Sequence, residues 1–336
     1  MAEIYEGEFK RNETNKNSIG GTELLNYALL DAIPKEKLED FQIVSSRVRE
    51  LDQEKIRIFW AHDLPQDPEN KLFADGIHQF HMFVFVSNWQ AQGYINMFNI
   101  PWSKCLVLQN AIQPIEPKEK PTDTINLIYH STPHRGLNIL AAVYEKLLEK
   151  HDNITLDVYS SFELYGWGKN DENYKMVFDK LESLPTVTNH GTVSNSEIRS
   201  ALQNSHIFAY PSTWQETSCL CLMEAMAAGN ICVHPNYGAL YETAANWTEM
   251  YQWHEDVSAH ASTFYNMLDG VITNYDIIKP RTASAASYAN LFYGWPTRTN
   301  EWNAVLQLLS DRYPTVESRT FEVDPSTIFS YSTTNG

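Results

Sequence analysis

The sequence is short of positive charge: 25 lysines and arginines stand against 42 aspartates and glutamates, for a formal net charge of −17 at pH 7. That balance excludes a broad polyanion-binding face, since each phosphate contact needs a cation to displace condensed counterions. Nucleic acid is therefore not an expected partner, and only a local basic pocket would hold phosphate. The chain also has no run approaching the roughly 20 apolar residues that cross a bilayer, and no basic amphipathic helix that would lie on one. No transmembrane segment is expected. Met1–Arg11 lacks the basic-then-apolar pattern of a secretory signal, so the expected location is cytoplasmic. Cysteine is scarce too. Cys219, Cys221 and Cys232 fall close together and Cys105 stands alone, which matches neither a disulfide framework nor the paired ligands of a zinc site. They read as reduced, small apolar residues.

What is present is apolar material cut into strand-length runs. With 336 residues, 43% of them hydrophobic, the chain can bury about two ordinary cores. Runs at Phe41–Ser45, Ile56–Trp60, Met82–Val86 and Leu106–Leu108 read as strands, with an amphipathic helix over Glu23–Ile33. A proline- and charge-rich stretch, Gln113–Thr124, then reads as a linker. Beyond it, strands are expected at Ile125–Tyr129, Thr155–Tyr159, Val187–His190, Ile207–Tyr210 and Ile231–His234. Helices are expected near Leu137–Lys150, Asn195–Leu202 and Cys219–Ala228. Strand and helix in alternation make βαβ units and parallel sheets, so the fold class is α/β with two doubly wound units and a crevice at their carboxyl ends. The expected division is 1–115 and 116–295, with a tail over 313–336. Its last part, Ser326–Gly336, is polar enough to fray.

The segment Tyr210–Gly229 (YPSTWQETSCLCLMEAMAAG) is the densest in chemistry. It reads as strand, loop and helix, with the helix opening near Thr217 or Ser218. A helix start offers unpaired N–H groups and partial positive charge, a seat for a diphosphate. Glu216 precedes the helix and Glu224 lies inside it, eight positions on, so the two carboxylates face roughly one side. This Glu-x7-Glu pattern ending in EAMAAG resembles the signature of the retaining GT-B glycosyltransferases of family 4. The resemblance implies that Glu216 contacts hydroxyls of the transferred sugar and Glu224 the ribose of the donor. Thr217, Ser218, Cys219 and Leu220 would line the donor diphosphate.

The likeness extends over most of residues 18–306. Tyr129–Leu140 (YHSTPHRGLNIL) sets Arg135 before Gly136, where the family has a lysine. A guanidinium there would neutralise charge building on the departing diphosphate. The family's second basic residue is replaced by Tyr129, His130 and Ser131, which leaves phosphate binding to Arg135, the helix start and hydroxyls such as that of Ser131. Gly20 and Gly21 in SIGGTELL resemble the glycine pair that lets backbone approach the donor phosphate. His62 and Asp63 end a strand in IFWAHDLP, and the resemblance makes His62 a polar catalytic contact, with Asp63 orienting it or the acceptor hydroxyl. His190–Val193 resembles the loop beside the donor base, which adds Gly191 and Val193 to the donor side. Tyr293–Leu306 resembles the helix, about 296–312, that returns to the first domain, with Trp295 and Trp302 as anchors.

The resemblance thus implies a GT-B fold of two Rossmann-like domains facing across a cleft. It implies transfer of a hexose-type sugar, with retention, from a nucleotide-diphosphate donor such as a UDP- or GDP-sugar. No metal or other cofactor is expected, in keeping with the absence of any Asp-x-Asp pair. The acceptor stays open among glycan, lipid-linked sugar and protein. The rival readings are a nucleotide-sugar epimerase on the same fold and a binding module without turnover.

Overall fold

A computed structural model describes residues 20–320 apart from position 49. The polar tail Ser326–Gly336 lies outside the described residues. Two parallel sheets organise the chain. The first has four strands, β1 (Phe41–Ser45), β2 (Ile56–Trp60), β3 (Met82–Phe85) and β4 (Cys105–Val107), in that order. The second has six, β5 (Ile125–His130), β6 (Ile154–Tyr159), β7 (Val187–Asn189), β8 (Ile207–Ala209), β9 (Ile231–Pro235) and β10 (Glu249–Tyr251), ordered β10-β9-β8-β5-β6-β7.

The period of two along each strand splits the first domain's core between two faces. Ile56, Ile58 and Trp60 of β2, with Met82 and Val84 of β3, point to one side and pack under the helix Gly21–Ala32. Phe59, Phe83 and Phe85 point to the other and meet Phe73, Phe80 and Tyr94. Both faces are covered, which is why these strands read as mostly apolar runs, with the buried Gln42 and Arg57 as the exceptions. The helix Trp295–Arg312 returns from the second domain and places Trp302, Val305, Leu306 and Leu309 in the first core. Trp302 meets Trp60 edge-on at 5.1 Å.

In the second sheet the strand order turns back at β5, which pairs with β6 on one side and β8 on the other. Crossovers therefore leave β5 and β8 in opposite directions and open a crevice at the carboxyl ends of these two strands. The loops that follow them carry Arg135 and Glu216.

The linker Gln113–Thr124 carries a buried anchor. Lys120 is only 8% exposed, and its ammonium donates to the carbonyls of Leu202, Gln203 and Ala228. Those carbonyls end the helices Asn195–Asn204 and Leu220–Ala227. Terminal carbonyls lack acceptor partners within the helix and carry partial negative charge, so a single ammonium satisfies both ends. Strand β10 was not anticipated; its three residues include no β-branched side chain. The four cysteines are free, and Cys219 and Cys232 are buried.

Candidate functional site

The turn after β5 is tight. Gly136 has φ +100, and a Cβ there would run into the carbonyl oxygen of Pro211. Glycine alone allows both the backbone angle and the approach. The contact ties the β5 and β8 loops together and sets Arg135 Nη1 2.7 Å from Glu216 Oε1. Tyr210, at the end of β8, donates its hydroxyl to the same oxygen at 2.5 Å. Burial by itself would lower the Arg135 pKa, but the Glu216 carboxylate outweighs it and keeps the guanidinium charged. The Arg135 Nε is buried without a partner, and the face of Trp214 lies 5.9 Å from the guanidinium carbon.

The helix after β8 starts later than the sequence implies. Leu220–Ala227 is helical, with Cys219 as its N-cap, so the unpaired N–H groups begin at Leu220 and not at Thr217. The reason lies in the chain before it. Glu216 is held extended in a bridge to Gly238, and its carbonyl accepts from Ala239 N at 2.7 Å. Gly238 has φ +61 and a Cβ on it would lie 2.6 Å from Glu216 N. Thr217 donates its hydroxyl to His62 O, and Ser218 O accepts from Asn110 Nδ2. Only after these ties can the backbone turn helical. The Ser218 hydroxyl is buried without a partner. Leu220 packs against both domain cores.

Glu224 is 7% exposed inside that helix. Asn195 Nδ2 donates to it at 3.2 Å, and Arg199 Nη1 lies 3.8 Å away. Burial raises the carboxyl pKa, against the pull of His130. His130 is buried below it with Nε2 lacking a hydrogen-bond partner. Ser131 follows β5 and is half-buried. The loop with Gly191 (φ +63) and Val193 leads into the helix that carries Asn195, and no atom lies within 4 Å of a Cβ built on Gly191.

From the first domain, Gly20 lies against Tyr165 and Gly21 against Leu220. His62 sits opposite Thr217, its ring 4.5 Å from that of Trp60 and its Nε2 buried without a partner. Burial lowers its pKa to about 3, so the imidazole is neutral at physiological pH. Asp63 turns elsewhere: its carboxylate lies 4.0 Å from Arg47 Nε. The structure thus gathers Arg135, Glu216, His62, Gly20, Gly21 and the residues 217–220 on one crevice. Glu224 stands apart from the Arg135–Glu216 pair, beside the Gly191–Val193 loop.

Four contributors escaped the sequence. Tyr210 shares Glu216 with Arg135. Asn195 and Arg199 flank Glu224 from one helix face, a spacing of four that could have flagged them. Glu242 accepts from Asn88 N and Nδ2 and from Trp89 N, at 2.8, 2.7 and 3.1 Å, and so holds the start of the helix Asn88–Phe98 from across the domain boundary. Among the described residues, no helix is long and apolar enough to cross a membrane.

Comparison with known proteins bears on this geometry. Residues 109–265 match the family model of glycosyl transferases group 1. No curated protein sequence matches the chain. Solved structures match over most of its length. A glycosyltransferase from Rickettsia africae ESF-5 superposes with a TM-score of 0.64 at 16% identity, over 88% of this chain and 83% of that one. Sucrose-phosphate synthase from Thermosynechococcus elongatus gives 0.66 at 12%, over 86% and 79%. Anabaena Alr3699/HepE, in complex with UDP and glucose, gives 0.62 at 13%, over 85% and 82%. The fold is that of the GT-B glycosyltransferases, and the stretch that bears Arg135, Glu216 and Glu224 is the one that matches glycosyl transferases group 1.

Proposed function

We propose that the protein is a hexosyltransferase of the family 4 type, moving a sugar from a nucleotide-diphosphate donor, such as a UDP- or GDP-sugar, to an acceptor hydroxyl with retention and without metal. The observation that carries this reading is the buried Arg135–Glu216 pair at the point where the strand order turns back. A charged guanidinium fixed beside a helix start is a preorganised field for a leaving diphosphate. It needs no reorganisation as charge develops there. Glu216 binds the sugar: Arg135 and Tyr210 both bond its Oε1, which orients Oε2 to accept hydroxyl protons. His62 acts as a neutral partner whose buried Nε2 would gain the hydrogen bond it lacks from the transferred sugar. Glu224 takes the ribose, with Asn195 fixing its carboxylate. Asp63, turned to Arg47, acts on the acceptor side and not through His62. A location in the cytoplasm accompanies this reading, since that is where nucleotide-sugars are plentiful.

The test is a thermal-shift screen against UDP, GDP, ADP and their sugar conjugates, because a ligand that binds only the folded state raises the midpoint. One nucleotide should stand out, and the shift should vanish in Glu224→Ala. No shift with any of them would sink the donor assignment.

A further inference from the structure

Beside the crevice the two domains enclose a groove of about 640 Å³ whose lining is unusual for this chain. Charged residues make up 20% of the sequence, yet none lines the groove; half of the ten residues that do are asparagine or glutamine. Gln66 from the first domain donates to Gln215 of the second at 3.2 Å, and Gln92 donates to Asn96 at 2.6 Å along the helix Asn88–Phe98. A carboxamide offers two N–H donors and an oxygen with two lone pairs, so each of these pairs keeps both donor and acceptor capacity toward a ligand. Trp89 and Tyr241 supply aromatic surface, one from each domain. Amides that both give and accept, aromatic faces and no charge suit one chemistry: many neutral hydroxyls on a ring with an apolar face. An anionic headgroup would find no cation in this lining, and a basic peptide no carboxylate.

The position fits as well as the chemistry. Gln215 immediately precedes Glu216, and Gln66 follows His62 and Asp63 by a few residues, so the groove is lined by the same chain segments that bear the crevice residues. We infer that this groove is the acceptor site and that its occupant is a neutral oligosaccharide. This rests on the transferase reading above and deepens it by naming the acceptor class. Because its walls come from both domains, the groove is complete only while the Glu242 contacts to Asn88 and Trp89 hold them together.

Saturation-transfer NMR on the full chain tests it, with maltotetraose, cellotetraose and laminaritetraose as probes and a sulfated chondroitin tetrasaccharide as the charged comparison, each with UDP present. At least one neutral tetrasaccharide should bind and the sulfated one should not. Asn96→Arg places a long cation in the groove from an exposed helix position that does not threaten the fold. It and Trp89→Ala should each weaken neutral binding roughly tenfold or more, the scale of losing one anchoring contact. UDP affinity should stay within about twofold in both variants, since neither position touches the donor side. Failure of every neutral probe, equal binding by Asn96→Arg, or preference for the sulfated probe would overturn the inference. Wild-type protein that binds no nucleoside diphosphate would instead defeat the transferase reading, and the UDP titration separates the two failures.

Discussion

The Arg135–Glu216 pair can be taken apart so that its part in stability and its part in turnover separate. The Glu216 side chain is 7% exposed and that of Arg135 21%, so both charges have lost most of their water. Arg135→Met leaves the carboxylate buried with only the Tyr210 hydroxyl on it, at a cost of about 3–5 kcal/mol, as expected for half of a buried ion pair. Glu216→Gln costs less, about 2 kcal/mol, because the stranded guanidinium retains some access to water and the amide oxygen still accepts from Tyr210. The double variant has no uncompensated charge and should lose about 2–3 kcal/mol less than the two single losses sum to, which is the coupling the cycle reads. Turnover should behave otherwise. If Arg135 faces the leaving diphosphate as proposed, the double variant lacks that cation, and kcat should stay roughly 10²–10³ below wild type even though the coupling recovers part of the stability. Urea unfolding followed by tryptophan fluorescence gives the first quantity and nucleotide release the second. If the double variant regained turnover along with stability, Arg135 would be a structural cation only.

Acid should weaken the fold through its neutral histidines. His234 is fully buried; its Nδ1 donates to the Pro235 carbonyl and its Nε2 meets the Thr248 hydroxyl, partners that satisfy the neutral ring. Burial lowers its pKa to about 4 from 6.5. The unfolded chain therefore takes up the proton first, so the contribution is whole above pH 6.5 and is lost as pH falls toward 4. At pH 5 the loss is about 2 kcal/mol, read as the difference between urea curves at pH 7 and 5, and His234→Asn should shrink that difference. Lys120→Met strands three carbonyls at two helix ends and should cost at least about 2 kcal/mol in the same assay; a neutral result would mean water replaces the ammonium. Glu242→Ala removes the carboxylate from the start of the helix Asn88–Phe98, and small-angle scattering of the ligand-free protein should show a larger radius of gyration. Unchanged compactness would deny Glu242 a part in holding the domains. Turnover should survive EDTA, and loss of activity restored by a divalent cation would refute the metal-free reading.

Most of the fold is legible because burial on two faces leaves an unmistakable trace. Phe41–Ser45 and Ile56–Trp60 agree with the structure to the residue, since a parallel strand covered on both faces is mostly apolar and ends where it meets solvent. Glu249–Tyr251 escapes because its three residues include no β-branched side chain, whereas the equally short edge strand Val187–Asn189 is marked by Val187 and Thr188. The helix Val257–Thr273 escapes for another reason: its buried stripe begins with His260, whose ring meets the Tyr251 hydroxyl at 2.7 Å, and a polar residue in the core breaks the expected pattern. In the site, Arg135, Glu216 and Glu224 stand out because backbone constraints fix their neighbours. Gly136 and the helix after Glu216 are local features, and local features survive in sequence.

What the sequence cannot carry is the arrangement between domains. Glu242 reaches Asn88 across 154 positions, and Thr217 reaches His62 across 155. No periodicity links such partners; each is an ordinary polar residue until the fold brings it home. The same contacts bear on how the two domains would part. They are a handful of hydrogen bonds, several on exposed groups, each worth only about 0.5–1.5 kcal/mol net because water takes over when it breaks. Against them stands the apolar packing of Trp302, Val305, Leu306 and Leu309, which keeps the returning helix on the first domain and costs far more to undo. Opening is therefore expected to release the polar ties near Glu242 and Thr217 and the Leu220 contact while the Trp295–Arg312 helix stays seated, with the bend near Ile112 and Gly294, where the two crossings bridge.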